Sequence, residues 1–433
     1  MSGNASADQR SDYRQRIIDE ELDELISGLP AIAIEGAKAV GKTATALRRA
    51  HTVYDLDDGD QQAIIGADPA RVIEGAAPIL IDEWQKVPPV WDRVRRAVDA
   101  GAPPGRFLLT GSASPKDTGT HSGAGRIVSL RMRPLALSER WPGEATVSLA
   151  ELLRGQRPDV NGRTSRRLDD YTEEILHSGF PGLRRLDGRL LRLQLDSYLQ
   201  RVVDRDFPEL GHAPRNPQGL LRWMRAYAAA TATTASLEKI RAASIGQHEP
   251  AVSRRAVLPY REVLERLFLL DPVQAWTPSR SHLKRISLPA KHHLVDPALS
   301  ARLLNASAGD LLNGRAAQPL APKDGGLLGA LFESLVTLSV RAYAQAAEAV
   351  VYHFRTFAGE HEADLIVKHN DGRVIAIEIK LAATPPEKSV RHLNWLDREL
   401  DDELLDKLII TTGSEAYRRQ DGVAVIPAAL LGP

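Results

Sequence analysis

Hydrophobic and polar positions divide the chain into stretches of different period. IIDEELDELISGL (17–29) spaces its apolar residues three and four apart, which predicts an amphipathic helix. AIAIE (31–35), HTVYDLDD (51–58), PILIDEW (78–84) and RFLLTGSAS (106–114) are short apolar runs ending in acidic or small residues. Buried parallel strands read this way when their C-terminal ends carry a site. WDRVRRAVDAG (91–101), between the last two, has helical spacing. The alternation predicts an α/β unit with a parallel sheet over residues 1–142.

Beyond it the period changes twice. Residues 143–168 are rich in Arg, Gly, Pro and polar types and read as a linker or surface insertion. Residues 169–305 read as helical, with LLRWMRAYAAATATTASLEKIRAAS (220–244) and PAVSRRAVLPYREVLERLFLLDPVQAW (250–276) followed by KRISLPAKHHLVD (284–296), a candidate two-stranded wing. That order predicts a winged helix-turn-helix, with SRRAVLPYRE (253–262) as recognition helix and Arg254, Arg255 and Arg261 available to DNA phosphates. Such folds also serve as protein-interaction modules. Residues 306–433 return to an α/β pattern: helix LLGALFESLVTLSVRAYAQAA, strand AVVYHFRTF, hairpin EADLIVKHNDGRVIAIEIKLA, helix SVRHLNWLDREL, then strands KLIITTG and GVAVIPA.

Composition narrows the function classes. Basic and acidic residues number 56 each, so nucleic-acid affinity must come from local patches. The absence of Cys excludes disulfides, Cys-ligated zinc and thiol catalysis. MSGNASADQRSDYRQR (1–16) has no apolar signal core and reads as a disordered tip to about Gln9. The most apolar helix, Leu327–Ala344, carries Glu333 and Arg341, which a membrane span would avoid. The expectation is a cytoplasmic protein with no membrane partner.

GAKAVGKT (36–43) fits G-x-x-x-x-G-K-[ST], a phosphate-binding loop, between a predicted strand and a predicted helix. Backbone amides from Gly36, Ala37, Lys38, Ala39, Val40, Gly41, Lys42, Thr43 and Ala44 are expected to cradle the phosphates of ATP or GTP. Lys42 reaches the β- and γ-phosphates, and the Thr43 hydroxyl binds Mg²⁺. Asp82 at the end of ILIDEW helps to hold Mg²⁺, and Glu83 polarises the attacking water. Thr110 or Ser112, at the next strand end, senses the γ-phosphate or orients the water. Arg126, after a Gly-rich run, is either a surface arginine or a candidate for completing the site of a neighbouring subunit, and the second reading makes a homo-oligomer the expected state. No N-K-x-D-like base-reading motif is present, which places a GTPase-like switch last.

Near the C-terminus Asp364, Glu378 and Lys380 form D-x(n)-E-x-K on the predicted hairpin. Glu378 and Lys380 share one strand face. A three-residue loop, Asn370–Asp371–Gly372, pairs His369 with Arg373 and brings Asp364 opposite Glu378; a two-residue loop would split the site. Two such carboxylates suit Mg²⁺, with the Lys positioning a hydrolytic water on a phosphodiester. This resembles the PD-(D/E)xK nuclease site, and Glu333 on the preceding helix matches the acid often supplied there.

EGAKAVGKT, ILIDEWQKVPPVWDRVRRAVD, FLLTGSAS, GAGR and LRMRPLALSE occur in that order, followed by ILHSGFPGL, YLQRVVDRD, VLERLFLL and PAKHHLVDPAL. Together they resemble the prokaryotic AAA-type ATPase family that carries a domain of unknown function behind the ATPase. The resemblance covers about residues 13–415 and implies ATP and Mg²⁺ as cofactors, a winged-helix module and a C-terminal restriction-endonuclease-like α/β domain. Two functions follow from it. One is ATP hydrolysis coupled to a C-terminal domain that acts on nucleic acid, with Asp364, Glu378 and Lys380 catalytic and Glu333, Asp364 and Glu378 on the metal. The other is an ATP-dependent regulatory switch whose rear domains bind DNA or an unknown protein partner.

Overall fold

The computed structural model describes residues 13–113, 124–212, 214, 216–246, 250–277, 289–314, 326–356 and 360–433. The expected N-terminal tip, the Gly-rich run before Arg126 up to residue 123, and the first half of the expected wing lie outside the described residues. The chain divides into two compact units, residues 1–133 with 266–268, and residues 134–265 with 269–433.

The first unit opens on helix α1 (Ile18–Gly28), leading into strand β1 (Ala31–Glu35) and the short helix α2 (Lys42–Leu47). β2 (Thr52–Asp55), β3 (Ile79–Asp82), helix α3 (Pro89–Asp99), β4 (Phe107–Gly111) and β5 (Val128–Arg131) complete it. The sheet order is β2-β3-β4-β1-β5, and every pairing is parallel. β3 and β4 are buried throughout, hence their unbroken apolar runs. Trp84 and Trp91, ring centroids 4.6 Å apart, anchor the core on one face. Because the strands run the same way, the residues after β1, β3 and β4 gather at one edge. They are Gly36–Thr43, Glu83 and Ser112.

The second unit takes in the stretch expected to be a linker. Within 143–168, β6 (Val147–Ser148) pairs in parallel with β13 (Leu431–Gly432), and helix α4 (Leu149–Leu153) follows directly. The polar composition concealed a few apolar anchors: Val147, Leu149, Leu152, Leu153 and Val160 are all buried. Their burial holds the stretch on the unit that follows it.

Helices α5 (Pro217–Ala229), α6 (Leu237–Ala243) and α7 (Arg254–Arg266) come next. Two antiparallel bridges follow, Leu270 with Leu294 and Val273 with Lys291. The described half of the expected wing is not a projecting ribbon. Residues 291–296 are buried, and Ala275 on the partner segment bridges His353 in parallel. The segment extends a sheet, which is where its alternating apolar residues go. Accordingly, the regions expected to be separate middle and C-terminal domains fall in one unit.

The long helix α8 (Gly326–Ala346) leads into the edge strand of a six-stranded mixed sheet and packs against it. By length and composition α8 could cross a membrane, but 72% of its apolar window is buried inside the protein. β7 (Val350–Arg355), β8 (Glu362–Lys368) and β9 (Val374–Ile379) are antiparallel neighbours. After helix α9 (Val390–Leu400), β10 (Leu404–Thr411) and β12 (Ala424–Pro427) add in parallel, and β11 (Tyr417–Arg418) closes the edge. The β8–β9 turn has the register of a three-residue loop. The His369 amide donates to the Arg373 carbonyl at 2.9 Å, Leu365 sits opposite Ile377, and Gly372 takes φ +95°.

Candidate functional site

The phosphate loop is shaped by two glycines. Gly41 sits at φ +106°, a conformation a side chain would resist. A Cβ on Gly36 would run into the Met132 carbonyl. Lys42 opens α2 and is 4% exposed; its ammonium donates to the carbonyls of Gly36 and Ala37, both at 3.0 Å. Burial lowers its pKa to about 8, against the pull of Glu83 and Asp82. Ahead of α1, Arg16 donates to the Val40 carbonyl at 2.8 Å, and the Tyr13 hydroxyl lies 2.8 Å from Thr45 Oγ1. The loop is therefore clamped from behind by residues that the sequence reading did not single out.

The strand ends supply the acids. Thr43 Oγ1 donates to Asp82 Oδ1 at 2.8 Å, and the Thr110 hydroxyl donates to the same oxygen. Burial raises the Asp82 pKa, and these two hydroxyls oppose the rise. Thr43 and Asp82 thus stand together as the two protein oxygens that a phosphate-borne Mg²⁺ takes, so the residues fit that ion. Glu83 adopts φ +53°, uncommon for a residue with a side chain. The turn aims its amide at Thr110 Oγ1 (3.2 Å) and its carboxylate at Ser112 Oγ (2.9 Å) and Gln85 Nε2 (2.5 Å). Of the two residues weighed at the β4 end, Thr110 contacts Asp82 and Ser112 contacts Glu83. Gln85, which closes the triangle with Ser112 at 3.0 Å, escaped the sequence reading because nothing in its spacing marks it.

The two arginines of this region separate. Arg126 precedes β5, at the edge of the parallel sheet opposite the phosphate loop, and pairs with Asp99 at 2.8 Å. It lies at the wrong end of the sheet to reach the loop of its own chain. Arg131, at the other end of β5, is the arginine whose charge falls on Lys42 and on Glu35. Its guanidinium stacks 3.9 Å from the Phe268 ring.

In the second unit Asp364, Glu378 and Lys380 converge as the hairpin register requires. Lys380 Nζ lies 2.5 Å from Glu378 Oε1 and 3.9 Å from Asp364 Oδ2, and that second oxygen also accepts the Ile379 amide at 2.8 Å. Glu333 arrives from α8. A residue absent from the expected set stands among them: Lys291 Nζ is 2.8 Å from Glu333 Oε1 and 3.0 Å from Asp364 Oδ1. Burial, then the Asp364 charge, raises Glu333 to about 7 and Glu378 to about 8. Burial also pushes Asp364 upward, but Lys291 and Lys380 outweigh it and hold this acid below its ordinary value. Lys291 is raised, because Asp364 and Glu333 overcome its desolvation.

That arrangement does not fit a metal. Among the described residues no group of three or more His, Asp or Glu is disposed to hold one. The Lys291 ammonium fills the space between Glu333 and Asp364. A divalent ion at about 4 Å from it would meet a repulsion of roughly 8 kcal/mol at an effective dielectric of about 20. Lys291, Glu333, Asp364 and Lys380 form part of the wall of a cavity of about 770 Å³, to which Lys239, Thr233 and Arg355 also contribute. Lys291 was open to detection only as the one cation in a run, KHHLVD, that is otherwise destined for burial.

The expected recognition helix forms as α7, and its arginines are partly engaged. Arg254 lies 3.4 Å from Glu238, Arg261 is 2.7 Å from Glu265 one turn on, and Arg255 is exposed.

Comparison with known proteins divides the chain in three. Residues 29–141 match the family described as an AAA domain, residues 168–310 a domain of unknown function (DUF8612), and residues 328–431 another (DUF4143). Uncharacterized proteins of Mycobacterium bovis and Mycobacterium tuberculosis are each 25% identical over 409 residues, spanning 92% of this chain and 80% of theirs. Among solved structures, a Walker-type ATPase of Pyrococcus abyssi overlays with a TM-score of 0.40 at 16% identity, covering 68% of this chain and 97% of that one. The Aeropyrum pernix ORC2 protein overlays at 0.26 and 15%, covering 70% and 91%. Overlays this loose do not bear on function.

Proposed function

We propose that the N-terminal unit, whose residues 29–141 match the AAA domain family, binds ATP with Mg²⁺ and hydrolyses it. The observation that supports this most directly is the contact of Thr43 with Asp82 beside the Gly36–Thr43 loop, with Glu83 held one residue further on. Lys42 releases the loop carbonyls and donates to the β- and γ-phosphates. Thr43 and Asp82 would hold the Mg²⁺, which would neutralise phosphate charge. Glu83 orients the attacking water, and Ser112 and Gln85 set its position. Arg126, half-exposed beside Asp99, is the candidate for the site of a neighbouring subunit in a homo-oligomer. The test is phosphate release from ATP and from GTP by the purified chain with and without Mg²⁺. Turnover only with ATP and Mg²⁺ is expected; none with either nucleotide would refute the proposal.

A second reading concerns the rear unit. The cations Lys239, Lys380 and Arg355 on the wall of one cavity favour a phosphodiester as its ligand. ATP hydrolysis would then be coupled to a nucleic-acid-acting domain in the cytoplasm. Binding of labelled single- and double-stranded DNA, and its weakening in Lys380→Ala, checks this. Equal retention of DNA by the variant would count against it.

A further inference from the structure

We propose that Lys291 is a built-in cation that takes the place of a divalent metal at the Glu333–Asp364–Glu378 cluster. The wild-type pocket then carries no metal, and removing this one charge uncovers a cation site. The inference is independent of ATP hydrolysis and would stand if the N-terminal unit proved inert.

The position of the ammonium is the first argument. It bridges one oxygen of Glu333, on α8, to one oxygen of Asp364, on β8, at 2.8 and 3.0 Å. That is the task of a metal joining acids from a helix and a strand. The second argument is how Lys291 is delivered. Its backbone amide and carbonyl both pair with Val273, at 2.8 and 2.9 Å, and the Val273 segment joins β7 through the Ala275–His353 bridge. The residue is 9% exposed. It is fixed in a buried sheet extension, not a surface lysine that has folded inward. An ammonium is a compact point charge with three donors, two of which are spent on the acids.

A third argument is what Lys291 leaves undone. Glu378 Oε2 is buried and has no hydrogen-bond partner among the described residues, while Oε1 is taken by Lys380. A buried acceptor left open beside two paired carboxylates is the ligand that a lysine cannot use and a multivalent ion can.

The experiment titrates the nucleotide-free, metal-stripped full chain with Mn²⁺, reading free Mn²⁺ by electron paramagnetic resonance. The proteins are wild type, Asp364→Asn, Lys291→Met and Lys291→Met with Asp364→Asn. Wild type and Asp364→Asn should bind alike. Lys291→Met should gain one site per chain at least tenfold tighter than any in wild type, and Asp364→Asn should remove it. A wild-type site lost in Asp364→Asn overturns the proposal. So does a folded Lys291→Met, judged by circular dichroism, that gains nothing. Should Lys291→Met fail to fold, Lys291→Gln replaces it, and the comparison of wild type with Asp364→Asn still decides whether Lys291 excludes the metal.

Discussion

Replacing Lys42 by Met should abolish ATP turnover and yet stabilise the nucleotide-free protein. The ammonium is 4% exposed, and burial lowers its pKa from 10.5 to about 8. At 1.36 kcal/mol for each step of one in pKa, keeping it charged inside the fold at neutral pH costs roughly 3 kcal/mol. Met fills a similar volume without that cost. It also forfeits the two bonds to Gly36 and Ala37, at about 1 kcal/mol each. The balance is a gain of about 1 kcal/mol, or roughly 2–4 °C in melting temperature for a domain of this size.

The pH dependence isolates the cause. The folded pKa lies below the unfolded one, so the penalty is complete below about pH 8. Between about 8 and 10.5 the unfolded chain holds the proton that the folded chain has released, and wild type gains stability as pH rises. The advantage of Lys42→Met should therefore shrink across that window in melting curves taken without nucleotide. Added ATP with Mg²⁺ should raise the melting temperature of wild type only. A variant less stable than wild type by the same amount at pH 7 and pH 10 would refute the burial argument.

Four further outcomes are expected. Ser112→Ala frees the Glu83 carboxylate from its 2.9 Å contact and should lower kcat about tenfold with little change in KM, read by steady-state phosphate release. Gly36→Ala places a Cβ against the Met132 carbonyl and should weaken ATP binding by more than tenfold in calorimetry, where unaltered affinity would discount the collision. Glu378, raised to about 8, stabilises the fold least when ionised, so stability should fall as pH rises from about 4.5 through 8. Glu378→Gln should blunt that fall, and a pH–melting profile parallel to wild type would argue against it.

What was legible in the sequence was local. The phosphate loop, the acids two strands away and the hairpin register all depend on spacing over a few residues, and the backbone realises them: Gly41 at φ +106° and His369 opposite Arg373. Contacts between distant segments were not legible. Lys291 meets Glu333 and Asp364 only because the segment after α7 extends the β7 sheet, and no periodicity announces that. The same limit applies to 289–296, the described part of the stretch read as a wing, and to 143–168, read as a linker or surface insertion. In the first, alternation fits a buried edge as well as an exposed ribbon; in the second, a few buried residues decide the fate of a polar stretch. Arg126 and Arg131 differ by five positions yet lie at opposite ends of β5, so a count along the chain could not choose between them.

The central claim is that the first unit hydrolyses ATP through a water placed by Glu83. Single-turnover hydrolysis by wild type and Glu83→Gln, with bound nucleotide measured in the same samples, tests it most directly. Both proteins should bind ATP with similar affinity, and Glu83→Gln should cleave it at least about a hundredfold more slowly. Cleavage by Glu83→Gln at the wild-type rate, with ATP bound equally, would contradict it.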